Sequence, residues 1–96
     1  MKNKKPKLIV LPNGTKAYYL NGNLHREDGP AIEGANGSKE YYLNGKLHRE
    51  DGPAIEGADG TKSYYLNGKS YSEREYWQEL YKLGKITKKD LFLKLL

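Results

Sequence analysis

The stretch NGTKAYYLNGNLHREDGPAIEGA at 13–35 is followed at once by NGSKEYYLNGKLHREDGPAIEGA at 36–58. The two differ only at Thr15/Ser38, Ala17/Glu40 and Asn23/Lys46, and a third copy opens at Asp59 as DGTKSYYLNGK before departing. A period of 23 residues constrains the fold strongly: a unit that short cannot bury its own apolar side, so copies must stack on their neighbours.

Turn chemistry sets the unit. Asn21-Gly22, Asn44-Gly45 and Asn67-Gly68 each follow a Tyr-Tyr-Leu run, and Asn-Gly between short strands is the signal for a two-residue turn in which both residues take positive φ. Upstream, PNG, ANG and ADG fit three-residue loops, a type I turn closed by a left-handed glycine. The unit is then a three-stranded meander over 8–26, 31–49 and 54–72, with LIVLP as a degenerate first copy of AIEGA.

These loops imply a register: Tyr42 opposite Leu47, Tyr41 opposite His48, Glu40 opposite Arg49, Glu33 opposite Lys39 and Ile32 opposite Glu40. Side chains alternate along strands. One face therefore carries Ile9, Ile32, Ile55, Tyr19, Tyr42, Tyr65, Leu24 and Leu47, and is expected to be buried. The other carries Glu33, Lys39, Lys46, Tyr18, Tyr41, Tyr64, His25 and His48, with Tyr71 in the third histidine's place, and is expected to be open. A slip of one residue would exchange the two faces.

LHREDGP occurs twice, at 24–30 and 47–53, and only where another unit follows. Asp-Gly-Pro bends the chain and blocks ladder pairing, and Arg26 or Arg49 can pair with adjacent carboxylates, so the segment reads as a joint rather than an active site. A metal between His25 and His48 with Asp28 or Asp51 is a lesser reading, since His-x-x-Asp alone falls short of a ligand set. No phosphate-binding loop opens a helix and no nucleophile stands in a recognisable setting, so the chain is expected to be non-catalytic and free of cofactors. Tyrosine offers large contact area with few rotors to freeze. Tyr18, Tyr41, Tyr64, His25, His48, Arg26 and Arg49 are accordingly the candidate binding residues.

Past Leu66 the period changes to a helical one. SERE at 72–75 reads as a capping box ahead of a helix bearing Tyr76, Trp77, Leu80 and Tyr81, with Gly84 as its stop. TKKD at 87–90 is a weaker start for a last helix with Leu91, Phe92, Leu95 and Leu96. An apolar helix at this end would cover the last exposed strand. The expected fold is α+β: an antiparallel meander of three 23-residue hairpin repeats over 8–72, capped by one or two helices over 73–96, behind a basic lead at 1–7.

A chain of 96 residues buries only about 60–70% of its unfolded surface, so the core is thin. The net charge of +5 resides outside the repeats: residues 1–7 carry four lysines, 8–72 sum to −1 and 73–96 to +2. The absence of cysteine suits a reducing, cytoplasmic setting, and the apolar run LIVL is too short for a signal peptide or a membrane span.

The run YYLNGKLHREDGPA resembles MORN-like repeat variants, tandem β-hairpin units of about this period. It is closer still to the Tyr-Leu-Asn-Gly-Lys-x-His-Arg-x-Asp-Gly-Pro-Ala repeats of small uncharacterised phage and prophage proteins. The resemblance covers about 8–71. His-Arg-Glu-Asp stands where MORN units usually carry a glycine-rich aromatic segment, so membrane contact does not carry over. What the resemblance implies is a repeat scaffold of viral origin that acts in the host cytoplasm by binding a host protein, such as a defence nuclease or its regulator. Nucleic-acid or nucleotide binding through stacked tyrosines and lysines is the alternative. An uncovered LIVL edge also invites pairing with a second copy.

Overall fold

The computed structural model describes residues 5–96. Residues 1–4 of the expected basic lead lie outside the described residues, and Lys7 already belongs to the first strand. The elements are β1 (Lys7–Val10), β2 (Lys16–Leu20), β3 (Asn23–Leu24), β4 (Ile32–Glu33), β5 (Lys39–Glu40), β6 (Tyr42–Leu43), β7 (Lys46–Leu47), β8 (Ile55–Glu56), β9 (Lys62–Leu66), β10 (Lys69–Tyr71), α1 (Glu73–Lys82) and α2 (Lys88–Lys94). Every strand pairing is antiparallel, and the fold is α+β.

The turns form as their residues dictate. Asn21, Asn44 and Asn67 have φ of 53°, 51° and 50°, each followed by a glycine at positive φ, the geometry that matches strand twist in a two-residue hairpin. In the longer loops the side chains of Asn13, Asn36 and Asp59 accept from the N–H two residues on, which holds the turn without help from the sheet.

The long middle strand of each unit is shared between two partners. The first half of β2 pairs β4 (Lys16↔Glu33, Ala17↔Ile32) and its second half pairs β3 (Tyr19↔Leu24, Leu20↔Asn23). Thus β3 and β4 lie along the same edge of β2, end to end, with the joint between them. One unit later β5 and β6, on either side of Tyr41, repeat the arrangement with β8 and β7. Arg26 N–H to the Tyr42 carbonyl and Gly45 N–H to the Leu24 carbonyl tie the β6–β7 hairpin to the preceding unit.

The expected pairs Tyr42↔Leu47, Glu33↔Lys39 and Ile32↔Glu40 are all present. The pair Glu40–Arg49 is not. Glu40 sits between Ile32 and Ile55, because the chain leaves the ladder after His48 and β8, not residue 49, runs beside β5.

The burial of the faces differs from the expected one: the fully buried side chains of the sheet all lie on the side expected to be open. His25, Ala31, Ala54 and Leu66 are buried and share the side of Tyr18, Tyr41 and Tyr64, the side expected to be open. Ile9 and Tyr19, on the side expected to be buried, are 46% and 37% exposed, and the other members of that face are only half-buried. The reason lies beyond the repeats: α1 packs on the Tyr64 and Leu66 side of β9, forming the core cluster of Leu66, Tyr76, Trp77 and Leu80.

Ser72 caps α1 by accepting from the Glu75 N–H, and the reciprocal pair of capping-box bonds is complete at α2 between Thr87 and Asp90. Helix α1 ends in a full Schellman motif, with Gly84 N–H to the Tyr81 carbonyl and Lys85 N–H to the Leu80 carbonyl. Gly84 adopts φ 77° there.

Leu80 is fully buried whereas Leu93 is 53% exposed. Leu80→Ala is expected to cost about 2–5 kcal/mol in urea unfolding, against less than about 0.5 kcal/mol for Leu93→Ala. Equal losses would mean that α1 is not the core of the molecule.

Candidate functional site

Each joint is built by one arginine. Arg26 donates from Nε to Asp28 (3.0 Å) and from Nη1 to the Pro30 carbonyl (3.1 Å) and Glu33 (3.0 Å). Its guanidinium lies 4.1 Å over the Tyr18 ring. One unit on, Arg49 repeats these contacts with Asp51 (2.8 Å), Pro53 (3.0 Å), Glu56 (2.8 Å) and, at 4.0 Å, the Tyr41 ring. Burial works to lower the pKa of both arginines, but the bonds to their carboxylates overcome it and raise them. The tyrosine beneath completes the joint through its main chain. Tyr18 N–H donates to the Ala31 carbonyl and its own carbonyl accepts from His25 N–H, and Tyr41 does the same with Ala54 and His48.

The histidines are fasteners. His25 Nδ1 accepts from the Asn44 N–H and His48 Nδ1 from the Asn67 N–H, each at 2.9 Å. An Nδ1 that accepts leaves the ring proton on Nε2, which faces Glu27 at 3.5 Å and Glu50 at 3.0 Å. Each ring therefore locks the Asn-Gly turn of the next unit. Among the described residues no three His, Asp or Glu side chains converge as a metal site would need.

Between the two joints lies an open cleft of about 720 Å³ lined by Arg26, Asp28, Gly29, Tyr41, His48 and Asp51, among others. Its rim is acidic, with Glu27, Asp28 and Asp51 largely exposed. Tyr76 from α1 closes the far side of the second joint. Its hydroxyl donates to the Arg49 carbonyl and accepts from the Gly52 N–H at 3.2 Å.

The seven candidate residues are thus brought together, but in intramolecular roles. Tyr18 and Tyr41 lie under arginines, Tyr64 meets the Tyr76 ring at 4.9 Å, and His25 is buried. The expectation that this row faces solvent is corrected. The opposite face of the sheet carries no helix among the described residues and is exposed at Ile9 and Tyr19 and half-buried at its other Ile, Tyr and Leu positions. Tyr19 and Tyr42 stand opposite Leu24 and Leu47 in one row that Tyr65 continues, and Ile32 and Ile55 stand in the neighbouring row with Ala17, Glu40 and Ser63. The sole carboxylate among these rows, Glu40, accepts from the Tyr42 hydroxyl at 3.1 Å. Burial and that bond raise the Tyr42 pKa. Lysines 16, 39 and 62 stand on the helix-covered side, opposed in register by Glu33 and Glu56.

Two groups escaped the sequence reading. The role of histidine was signalled by its constant offset from the next Asn-Gly turn, 25 to 44 and 48 to 67, and by its absence where no such turn follows. Tyr76 had no signal beyond its apolar face on α1.

The chain matches no protein-family model, no curated protein and no solved structure. Among the described residues no helix is long and apolar enough to cross a membrane.

Burial pushes the Tyr76 hydroxyl from 10.0 up to about 12. A pKa raised by folding lends stability that is complete below the unfolded value and lost as pH climbs through the folded one. Thermal stability is therefore expected to fall between about pH 10 and 12. Tyr76→Phe should flatten part of that fall, while costing about 1–3 kcal/mol at neutral pH through the orphaned Gly52 N–H and Arg49 carbonyl. Parallel pH profiles for the two proteins would refute the Tyr76 bridge.

Proposed function

We propose that this chain is a non-catalytic binding module whose uncovered face, centred on Tyr42, seats a partner protein. The observation that carries the reading is the one-sided cover of the sheet: α1 packs on the Tyr64 and Leu66 side, and among the described residues no helix covers the rows of Ile, Tyr and Leu on the other side. A partly exposed apolar surface with aromatic anchors, open at Ile9 and Tyr19 and half-buried at Tyr42 and Tyr65, has the composition of a protein interface. The molecule extends 43 × 37 × 19 Å, a slab whose broad side suits an interface of about 800 Å² per partner.

The resemblance to phage and prophage repeats supports a more specific form of this proposal. The module is then phage-encoded and acts in the host cytoplasm, inhibiting a host protein, such as a defence nuclease or its regulator, by occlusion. Nucleic-acid binding has less support. A stacking platform for bases needs cations beside the rings; Lys7 alone stands opposite one of them, Tyr19, whereas Lys16, Lys39 and Lys62 project from the other face and stand opposite glutamates in register.

Immobilised protein should retain host proteins that a Tyr19→Ser, Tyr42→Ser, Tyr65→Ser variant loses at unchanged melting temperature. With the captured partner purified, Tyr42→Ala alone should weaken binding by about 30-fold, a loss of about 2 kcal/mol. Moderate salt should change affinity little. Capture that survives the triple substitution, or that consists of nucleic acid and collapses with salt, overturns the proposal.

A further inference from the structure

The first strand of the sheet has an unused edge whose hydrogen-bonding groups match a second copy of itself. The parity of that edge follows from the ladder. Leu11 N–H donates to the Thr15 carbonyl, so the register Lys7↔Tyr19, Leu8↔Tyr18, Ile9↔Ala17, Val10↔Lys16 makes the pairs of Ile9 and Lys7 the hydrogen-bonded ones. Tyr18 accordingly turns its main chain the other way, to His25 and Ala31. The N–H and C=O groups of Leu8 and Val10 must then point away from β2, and among the described residues nothing pairs with them. In the later units the equivalent strands β4 and β8 are flanked on both edges.

Two prolines bracket this edge. Pro6 and Pro12 share the outward parity of Leu8 and Val10, and proline has no N–H to offer. The usable window is therefore two residues long. Only one antiparallel self-pairing satisfies all of it: Leu8 opposite Val10 of the second copy and Val10 opposite its Leu8, with Ile9 meeting Ile9 and Pro6 meeting Pro12. Shifting the register either way sets an outward carbonyl of Leu8 or Val10 against a proline nitrogen and leaves it unmatched. The side chains favour the same arrangement. Leu8, Ile9, Val10 and Leu11 are 47%, 46%, 57% and 47% exposed, and the antiparallel direction carries Lys7 of one copy away from Lys7 of the other.

We infer that the protein forms a two-fold dimer through β1, in the register centred on Ile9. The dimer is one continuous sheet with the helices at its two outer ends, and the uncovered faces of both copies lie on the same side. This inference is independent of what that face binds.

The test uses the absence of cysteine in the chain. Ile9 is the centre of the symmetry and a non-hydrogen-bonded pair, with Cα atoms about 4.5 Å apart, within the range a disulfide spans. Under mild oxidation Ile9→Cys should go over to a covalent dimer, while Leu8→Cys, which faces Val10 of the second copy, should cross-link far more slowly. In sedimentation the wild-type chain should run as a dimer, and Val10→Pro, which removes an outward N–H and no bond to β2, should run as a monomer with an unshifted melting curve. Should Val10→Pro fail to fold, the two cysteine variants decide. A wild-type monomer at the highest concentration attainable, or equal cross-linking of Ile9→Cys and Leu8→Cys, overturns the inference.

Discussion

An arginine folded back onto its own chain holds this sheet in one piece. Where β3 ends and β4 begins, the polypeptide leaves the ladder at residue 26 and returns at residue 30, a detour that by itself leaves carbonyls and a ring face without partners. The Arg26 guanidinium fills the gap from within, taking the Pro30 carbonyl, Asp28 and Glu33 in its fixed fork and covering Tyr18 with its plane. Lysine, a point charge on a flexible stem, offers neither the fork nor the plane. Because Tyr18 bonds His25 and Ala31 at the two lips of the detour, losing the guanidinium would free both halves of the rung. Arg49, Tyr41, His48 and Ala54 are tied together in the same way one unit later.

This geometry also explains how the repeats end. Ser72 stands where a third arginine would be, 23 residues past Arg49, so Tyr64 has no guanidinium to lie beneath. The ring of Tyr76 takes that place, 4.9 Å from Tyr64 and 4.8 Å from Trp77, and its hydroxyl reaches back to the backbone of the second joint. The aromatic substitute belongs to a helix, so it brings Trp77 and Leu80 with it and turns the end of a sheet into the core of the molecule. Gly52, beneath Tyr76, is buried, while its counterpart Gly29 is only half-buried. Two identical stretches of sequence thus have different surroundings because of their distance from the cap.

Local chemistry was legible in the sequence, and the relation between layers was not. The Asn-Gly turns, the three-residue loops, the pairs Glu33↔Lys39 and Tyr42↔Leu47 and the joint at His-Arg-Glu-Asp-Gly-Pro all follow from residues within a few positions of one another. The direction of burial does not. With tyrosine on both faces of every middle strand, alternation is silent about which side meets a helix, and the decision falls to Leu66 and Tyr76, ten residues apart. The Ile and Leu rows read as core because they are apolar, yet a sheet covered on one side by short helices leaves the other side to solvent or to a partner.

The interior of the covered side is correspondingly polar along the repeats and apolar only at the cap. Away from α1 the side chains that fill it are Ala31, Ala54, His25 and the arginine stems, and they are there because each completes a hydrogen bond or a close backbone approach. A buried imidazole or guanidinium is stabilising only when its donors and acceptors are all matched, which requires the next unit to sit in one register and no other. His25 and His48 supply that condition directly, since each accepts from the N–H of an asparagine inside the following turn. Specificity of stacking in the repeats therefore resides in polar bonds, and the hydrophobic contribution is concentrated at the cap.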